Sequence, residues 1–176
     1  MHCQMVHQDP YDSINPRMKV KDIVSEPLEI HNIGDGLERE KIVLDTLREV
    51  KLEPHVEIAN KYPHMLSGGQ RQRVVLARAL VLRPKIIIAD EPVSMLDVSI
   101  RAEILNLMKN IQKKNNISFI YITHDLATAR YFGQRIIILY LGKIMEFGSI
   151  DRVLLEPRHP YTQALIDAIS LSLIHI

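Results

Sequence analysis

The chain has 176 residues, 22 basic and 21 acidic side chains, a formal net charge of +1 and 47% apolar residues. That length supports one domain, or one and a half, with its own apolar core, and the balanced charge speaks against a nucleic-acid tail or an acidic-ligand sink. The single Cys3 excludes an internal disulfide framework and fits a reducing compartment, and no apolar run approaches the about 20 residues a membrane-spanning helix needs.

In chain order, residues 1–10 read as the middle of a strand entering a turn, and 9–17 as a loop rich in turn formers. A short helix is expected over 20–30 and a turn over 32–36. An amphipathic helix over 38–50 carries Ile42, Leu44, Leu47 and Val50 near helical spacing. A shorter helix is expected over 54–62, a loop over 63–68, and a helix over 69–82 with Val74, Val75, Ala77, Leu80 and Val81 inward. The run 85–89 reads as a buried strand, 99–114 as a helix with Ile100, Ile104, Leu107 and Ile111 on one face, and 117–123 as a strand. A short helix over 126–132, a hairpin of 135–141 and 143–147 about Gly142, and terminal helices over 150–155 and 161–169 complete the reading. Strands alternating with helices predict an α/β fold, a mostly parallel sheet covered on both faces. The helix-rich stretch 18–66 is expected to stand apart as a helical subdomain.

The two ends read as cut. The last six residues, 171–176, break the preceding pattern and match what the end of a library-preparation transposase adapter encodes. They are expected to be adapter-derived and to carry no function.

Three stretches carry chemistry. The apolar run Ile86-Ile87-Ile88-Ala89 ends in Asp90-Glu91. Ligands of open α/β sheets sit at the carboxyl ends of strands, so Asp90 is placed to face a ligand, and in nucleotide hydrolases an acid at this position helps hold Mg²⁺. Glu91 is placed to polarise an attacking water as a general base. By itself the pair would be two solvated carboxylates at a strand end, and the accompanying motifs favour the functional reading. His124 ends the next strand, between Thr123 and Asp125, where an imidazole can contact a γ-phosphate. Ser67-Gly68-Gly69-Gln70 opens a helix: Ser67 is a good N-cap, and the glycines with the helix dipole suit an anion. Gln8, before the Asp9-Pro10 turn, can reach Mg²⁺ or the water. Ser94-Met95-Leu96-Asp97 follows the acidic pair and can cap the helix that starts near Ser99, a structural role that is compatible with a functional one. The basic cluster Arg71, Arg73 and Arg78 reads as a solvated face, since no aromatics interleave it.

Together these residues resemble the ATP-binding cassette (ABC) ATPases over residues 1 to about 168. Gln8 matches the Q-loop glutamine, Leu66 to Gln70 the signature motif, Ile86 to Asp90 Walker B, and Glu91 the catalytic glutamate. Ser94 to Asp97 match the D-loop, with Met95 in place of alanine, and His124 matches the switch histidine. Gln8-Asp9-Pro10-Tyr11, Asn15-Pro16-Arg17-Met18, Asp90-Glu91-Pro92-Val93-Ser94 and His159-Pro160-Tyr161-Thr162 are similar to the oligopeptide, dipeptide and nickel importers. No G-x-x-x-x-G-K-S/T loop, the Walker A motif, occurs in the chain.

The resemblance implies a partial P-loop NTPase (RecA-like) parallel sheet with an ABC helical subdomain. The implied segments are 1–17, strand end and Q-loop; 18–66, helical subdomain; 67–149, signature helix, Walker B, D-loop and switch region; and 150–170, the start of a C-terminal extension. It implies ATP and Mg²⁺ as ligands, with Glu91, His124 and Gln8 catalytic, Asp90 and Gln8 at the metal, and Ser67, Gly68, Gly69, Gln70 and Asp97 at the nucleotide. Implied partners are a second cassette paired head to tail, membrane permease subunits and an extracellular substrate-binding protein, at the cytoplasmic face of the membrane, with no nucleic acid. Without Walker A the 176 residues alone are expected to hydrolyse ATP negligibly and to be unstable, with an exposed sheet edge. Two other readings are a soluble ABC ATPase and a non-catalytic remnant.

Overall fold

The computed structural model describes residues 2–10 and 13–168, so the expected adapter tail at 171–176 lies outside the described residues. The chain divides into two compact units, Met1–Ile122 and Thr123–Ile176.

In the first unit, strand β1 (Cys3–Val6) is followed by helices α1 (Val20–Ile30), α2 (Gly36–Glu49) and α3 (His55–Ala59) and a 3-10 turn, Pro63–Met65. Helix α2 starts two residues before the expected position because Asp35 caps it, its carboxylate accepting the Glu38 N–H at 2.9 Å. Its buried face is Val43, Thr46 and Leu47, a rotation from the predicted stripe that leaves Ile42 and Leu44 half-buried. Packing against α1 and α4 selects that face. Helix α3 ends at Ala59, short of the expected 62. The Lys61 carbonyl is taken by the Val20 N–H at 2.9 Å, and Pro63 holds Tyr62 extended.

Helix α4 (Gly68–Leu80) buries Val74, Val75, Ala77 and Leu80 as predicted, and Val81 is buried just beyond it. It packs on α1, α2 and β1. Its arginines are not a solvated face, contrary to the sequence reading. Arg71 donates to the carbonyls of Pro63 and Leu66 at 2.9 and 2.8 Å. Arg73 reaches Val50 O and Glu103, and Arg78 reaches Ser13 O and Glu26. Arg71 clasps the turn that leads into α4, and Arg73 and Arg78 tie α4 to segments distant in sequence, roles that charge patterning alone does not reveal.

Strands β1, β2 (Ile86–Asp90) and β3 (Ser118–Ile122) form a parallel sheet in the order β1-β2-β3, with α5 (Val98–Asn115) crossing from β2 to β3. Helix α5 buries Ile104, Leu105, Leu107, Met108 and Ile111. Among the described residues of this unit, one face of the sheet is buried and the other is exposed, where the sequence predicted cover on both. Met5, Ile88 and Ile120 are aligned across the three strands. On their face Met5 is 43%, Ile120 52% and Ile122 47% exposed, whereas Val6, Ile87 and Ala89 on the other are buried. At the far end of α2, the Glu49 carboxylate receives Arg83 and Asn115, each at 2.7 Å, with Lys114 at 3.4 Å.

The second unit holds α6 (Leu126–Phe132), the antiparallel pair β4 (Arg135–Tyr140) and β5 (Lys143–Ser149), and helices α7 (Ile150–Leu155) and α8 (Pro160–Asp167). The hairpin turns on Leu141 and Gly142, at φ 47° and 76°. Two successive positive φ values suit the right-handed twist of the strands, and glycine supplies the second without strain. A small core joins Ala129, Ile150, Leu154 and Ile166. The Glu146 carboxylate accepts the backbone N–H groups of Arg158 and His159, each at 3.0 Å, which fixes the approach to α8. Burial raises the Glu146 pKa, and these N–H donors outweigh it to hold the carboxyl below its ordinary range. Pro160 starts α8 one residue earlier than expected, a position where its missing N–H has no helical acceptor to lose.

Candidate active site

Parallel pairing sets Val6 level with Ala89, so the residues two further along, Gln8 and Glu91, leave their strands side by side. Gln8 Nε2 donates to Glu91 Oε2 at 2.9 Å. Asp90 closes β2 opposite Ile122. The Glu91 N–H continues the ladder to Ile122 O at 2.9 Å, yet Glu91 has φ 43°, in the left-handed region. That conformation costs a non-glycine residue on the order of 1–3 kcal/mol. It turns the chain out of the strand, and the turn is closed by Ser94, whose N–H and Oγ–H both donate to the Glu91 carbonyl at 3.1 and 3.0 Å.

Ser67 and Gln70 form a reciprocal capping box at the start of α4. Ser67 Oγ accepts the Gln70 N–H at 3.3 Å, and Gln70 Oε1 accepts the Ser67 N–H at 3.0 Å. The Gly68 and Gly69 N–H groups occupy first-turn positions that have no acceptor within the helix, which suits an anion there. The two glycines also answer to packing, which the sequence did not show. A Cβ on Gly69 would stand 2.7 Å from Ile100 Cγ2, and one on Gly68 would stand 3.5 Å from Leu96 Cδ2. The start of α4 is therefore seated on the segment that links Glu91 to α5.

Asp97 occupies the N-cap position of α5, but its carboxylate makes no capping bond and is exposed. Of the Ser94 to Asp97 run, Asp97 thus takes the N-cap position without a side-chain capping bond, and Ser94 serves the Glu91 turn. Arg101, which sequence reasoning passed over, donates to Leu96 O at 2.7 Å and to Ser94 O at 3.2 Å.

His124 belongs to the second unit, two residues beyond β3, and is exposed. Its neighbours are firmly held. The Asp125 N–H donates to Thr123 Oγ1 at 3.0 Å, and Asp125 Oδ1 caps α6 by accepting from Ala127 and Thr128 N–H groups at 2.9 and 3.3 Å.

Among the described residues no three or more His, Cys, Asp or Glu side chains are grouped as a metal cage. Asp90 and the Gln8 amide oxygen are the hard-oxygen donors at the strand ends. One carboxylate with an amide oxygen from a neighbouring strand end is a donor set that fits Mg²⁺, which is typically completed by water and phosphate oxygens. A separate cleft of about 400 Å³ in the second unit is lined by Glu146, Arg152, Arg158 and His159 and by none of the sequence-predicted residues. Among the described residues no helix is long and apolar enough to cross a membrane.

The ABC transporter family profile matches residues 1–94. The chain is 46% identical over 168 residues to the putative oligopeptide transport ATP-binding protein YkfD of Bacillus subtilis, covering 96% of this chain and 51% of that protein. It is 48% identical over 169 residues to OppF of the same organism, an oligopeptide transport ATP-binding protein, covering 96% of this chain and 55% of that one. It is 46% identical over 165 residues to the dipeptide transport ATP-binding protein DppF of Escherichia coli, covering 94% and 49%. The chain thus spans about half the length of the curated relatives it matches. Among solved structures, the dimeric ATP-binding cassette MJ0796 bound to ADP and Pi aligns at TM-score 0.72 and 35% identity, over 85% of this chain and 63% of that one. The cbiO1 protein of Clostridium perfringens, part of the ABC transporter complex cbiONQ, aligns at TM-score 0.77 and 29% identity, over 88% and 59%.

Proposed function

The chain belongs to the ABC transporter family, and from that premise we propose that it is part of the ATP-hydrolysing subunit of an importer that energises peptide uptake. The observation that carries the reading is the Gln8–Glu91 hydrogen bond of 2.9 Å at neighbouring strand ends, directly beside Asp90. It joins two polar side chains, with Asp90 next to Glu91 in sequence, at the carboxyl edge of a parallel sheet, where a phosphoryl-transfer site would use them.

Glu91 acts as general base, taking a proton from the attacking water on its carboxylate. Gln8 orients that carboxylate by donating to Oε2. Asp90 and the Gln8 amide oxygen would hold Mg²⁺, which when bound neutralises charge on the phosphate oxygens. His124 contacts the γ-phosphate. Gly68 and Gly69 present first-turn N–H groups to the phosphates of a nucleotide held by a second cassette, Ser67 and Gln70 hold that turn through their reciprocal cap, and Asp97 meets that cassette across the same junction. The assembly lies at the cytoplasmic face of the membrane with permease subunits and an extracellular binding protein. The peptide cargo follows the oligopeptide and dipeptide names of the relatives; nickel is the other cargo of the importers that the motifs resemble.

The test is Glu91→Gln in the full gene product assembled with its partner cassette. Turnover is expected to fall on the order of 10²–10⁴-fold, with nucleotide binding retained. Undiminished turnover in the variant would sink the reading. A wild-type product that never hydrolyses ATP, with Glu91 and His124 intact, would favour the non-catalytic remnant. Hydrolysis without permease or peptide uptake would favour a soluble ATPase.

A further inference from the structure

The Arg101 backbone N–H donates to Asp97 O at 2.9 Å as part of α5, and its guanidinium grips the backbone between Glu91 and Asp97. Its Nε donates to Leu96 O at 2.7 Å and its Nη2 to Ser94 O at 3.2 Å. Ser94 in turn donates through both N–H and Oγ–H to the Glu91 carbonyl at 3.1 and 3.0 Å. One guanidinium therefore closes a chain of hydrogen bonds that runs back to the strained Glu91 and forward to Asp97. Arg71 does the same work one helix earlier. It is the fourth residue of α4, as Arg101 is of α5, and it reaches back to Leu66 O, the carbonyl just before the N-cap Ser67. Arg101 reaches back to Leu96 O, just before the N-cap Asp97. The two clasped turns touch through Ile100 at Gly69 and Leu96 at Gly68.

We infer that Arg101 is a positioning residue for the hydrolytic site: it locks the 91–97 turn so that Glu91 and Asp97 keep a fixed placement relative to the Ser67–Gln70 turn. The inference rests on the ATPase reading for its consequence, though not for its geometry. A planar guanidinium satisfies two carbonyls at once with little entropy left to lose. A lysine ammonium lacks that fork. Loosening the turn lets Glu91 relax from φ 43° and displaces the carboxylate from the water it must meet. A displacement of about 1 Å costs on the order of 10²-fold in rate.

The experiment compares wild type, Arg101→Met and Arg101→Lys in the full gene product, by hydrogen exchange without nucleotide and by steady-state ATP turnover. In Arg101→Met the Ser94 and Leu96 amides are expected to exchange about tenfold faster, the loss of roughly one net hydrogen bond, with α1 and α2 unchanged. The same variant should lose on the order of 10- to 100-fold in kcat with KM within about threefold, and Arg101→Lys should recover part of it. Unchanged exchange at 94–96 overturns the inference. So does exchange that rises throughout the unit with a lower melting temperature, which marks a general structural role, or a change confined to KM. A wild-type product without turnover overturns the ATPase reading alone; local loosening in Arg101→Met then still supports the clasp, and unchanged exchange still overturns it.

Discussion

Ile100 Cγ2 stands 2.7 Å from where a Cβ on Gly69 would be, so these two residues, on different helices, admit no side chain at position 69. Ile100 is β-branched and stiff at χ1 within a helix, so it cannot swing aside cheaply. Gly69→Ala is expected to destabilise the protein by about 1–3 kcal/mol through overpacking, more than the up to about 1 kcal/mol that alanine gains in a helix. Gly68→Ala meets only an ordinary contact at 3.5 Å and should be neutral or slightly stabilising. Urea unfolding of the two variants distinguishes them. Adding Ile100→Ala to Gly69→Ala should regain part of the loss relative to its own single variant, and strict additivity would count against the contact.

Glu91 holds a left-handed backbone, φ 43°, that glycine adopts without strain. Relief of that strain, on the order of 1–3 kcal/mol, exceeds the 0.5–1 kcal/mol or so that glycine loses in entropy on folding. Glu91→Gly should therefore stabilise the fold by up to about 1 kcal/mol while abolishing the proposed turnover. A lower unfolding midpoint would contradict the assignment of strain to this residue.

Glu49 makes the stability of the first unit acid-sensitive. Burial pushes its pKa up, but the hydrogen bonds from Asn115 and Arg83 and the charges of Arg83 and Lys114 pull it below the ordinary carboxylate value. A carboxyl that titrates lower in the folded chain contributes its full stability above its unfolded pKa and loses it as pH falls through the folded value. Glu49→Gln should cost about 1–3 kcal/mol at neutral pH and flatten the fall in stability below about pH 4.5. Thermal melts of both proteins across pH 3–7 would show it, and parallel curves would refute it.

The uncovered sheet face makes the 176-residue chain prone to self-association on its own. Ile120 and Ile122 are 52% and 47% exposed, on the same face as Met5 and Ile86, and exposed apolar surface drives association. Ile120→Thr with Ile122→Thr should shift the isolated chain toward monomer in light scattering, with stability altered by only about 0.5 kcal/mol per site. No change in apparent mass would show that the face is not the cause. The same chain, without a G-x-x-x-x-G-K-S/T loop, should show no ATP turnover above background.

What the sequence determined by itself is local. Ser67 with Gln70 announced a capped helix, apolar periodicity marked the buried face of α4, and the run to Asp90 marked a strand whose end bears carboxylates. Those signals act within one or two turns of chain, where propensity, capping and spacing suffice. The order of the motifs also placed Gln8 and Glu91 at strand ends, though their meeting required a parallel register between segments more than eighty residues apart. The rest was decided only by packing. Which stripe of α2 is buried depends on α1 and α4. Whether the sheet is covered once or twice depends on which elements reach it. Arginines that read as a solvated stripe became clasps because carbonyls with no helical donor lay within reach of their guanidinium groups. Ile100 fixed Gly69 from another helix, thirty-one residues away by number. A chain can encode a helix in its neighbours, but a contact between two helices exists only once both are formed and docked, because the space each side chain fills is defined by the other.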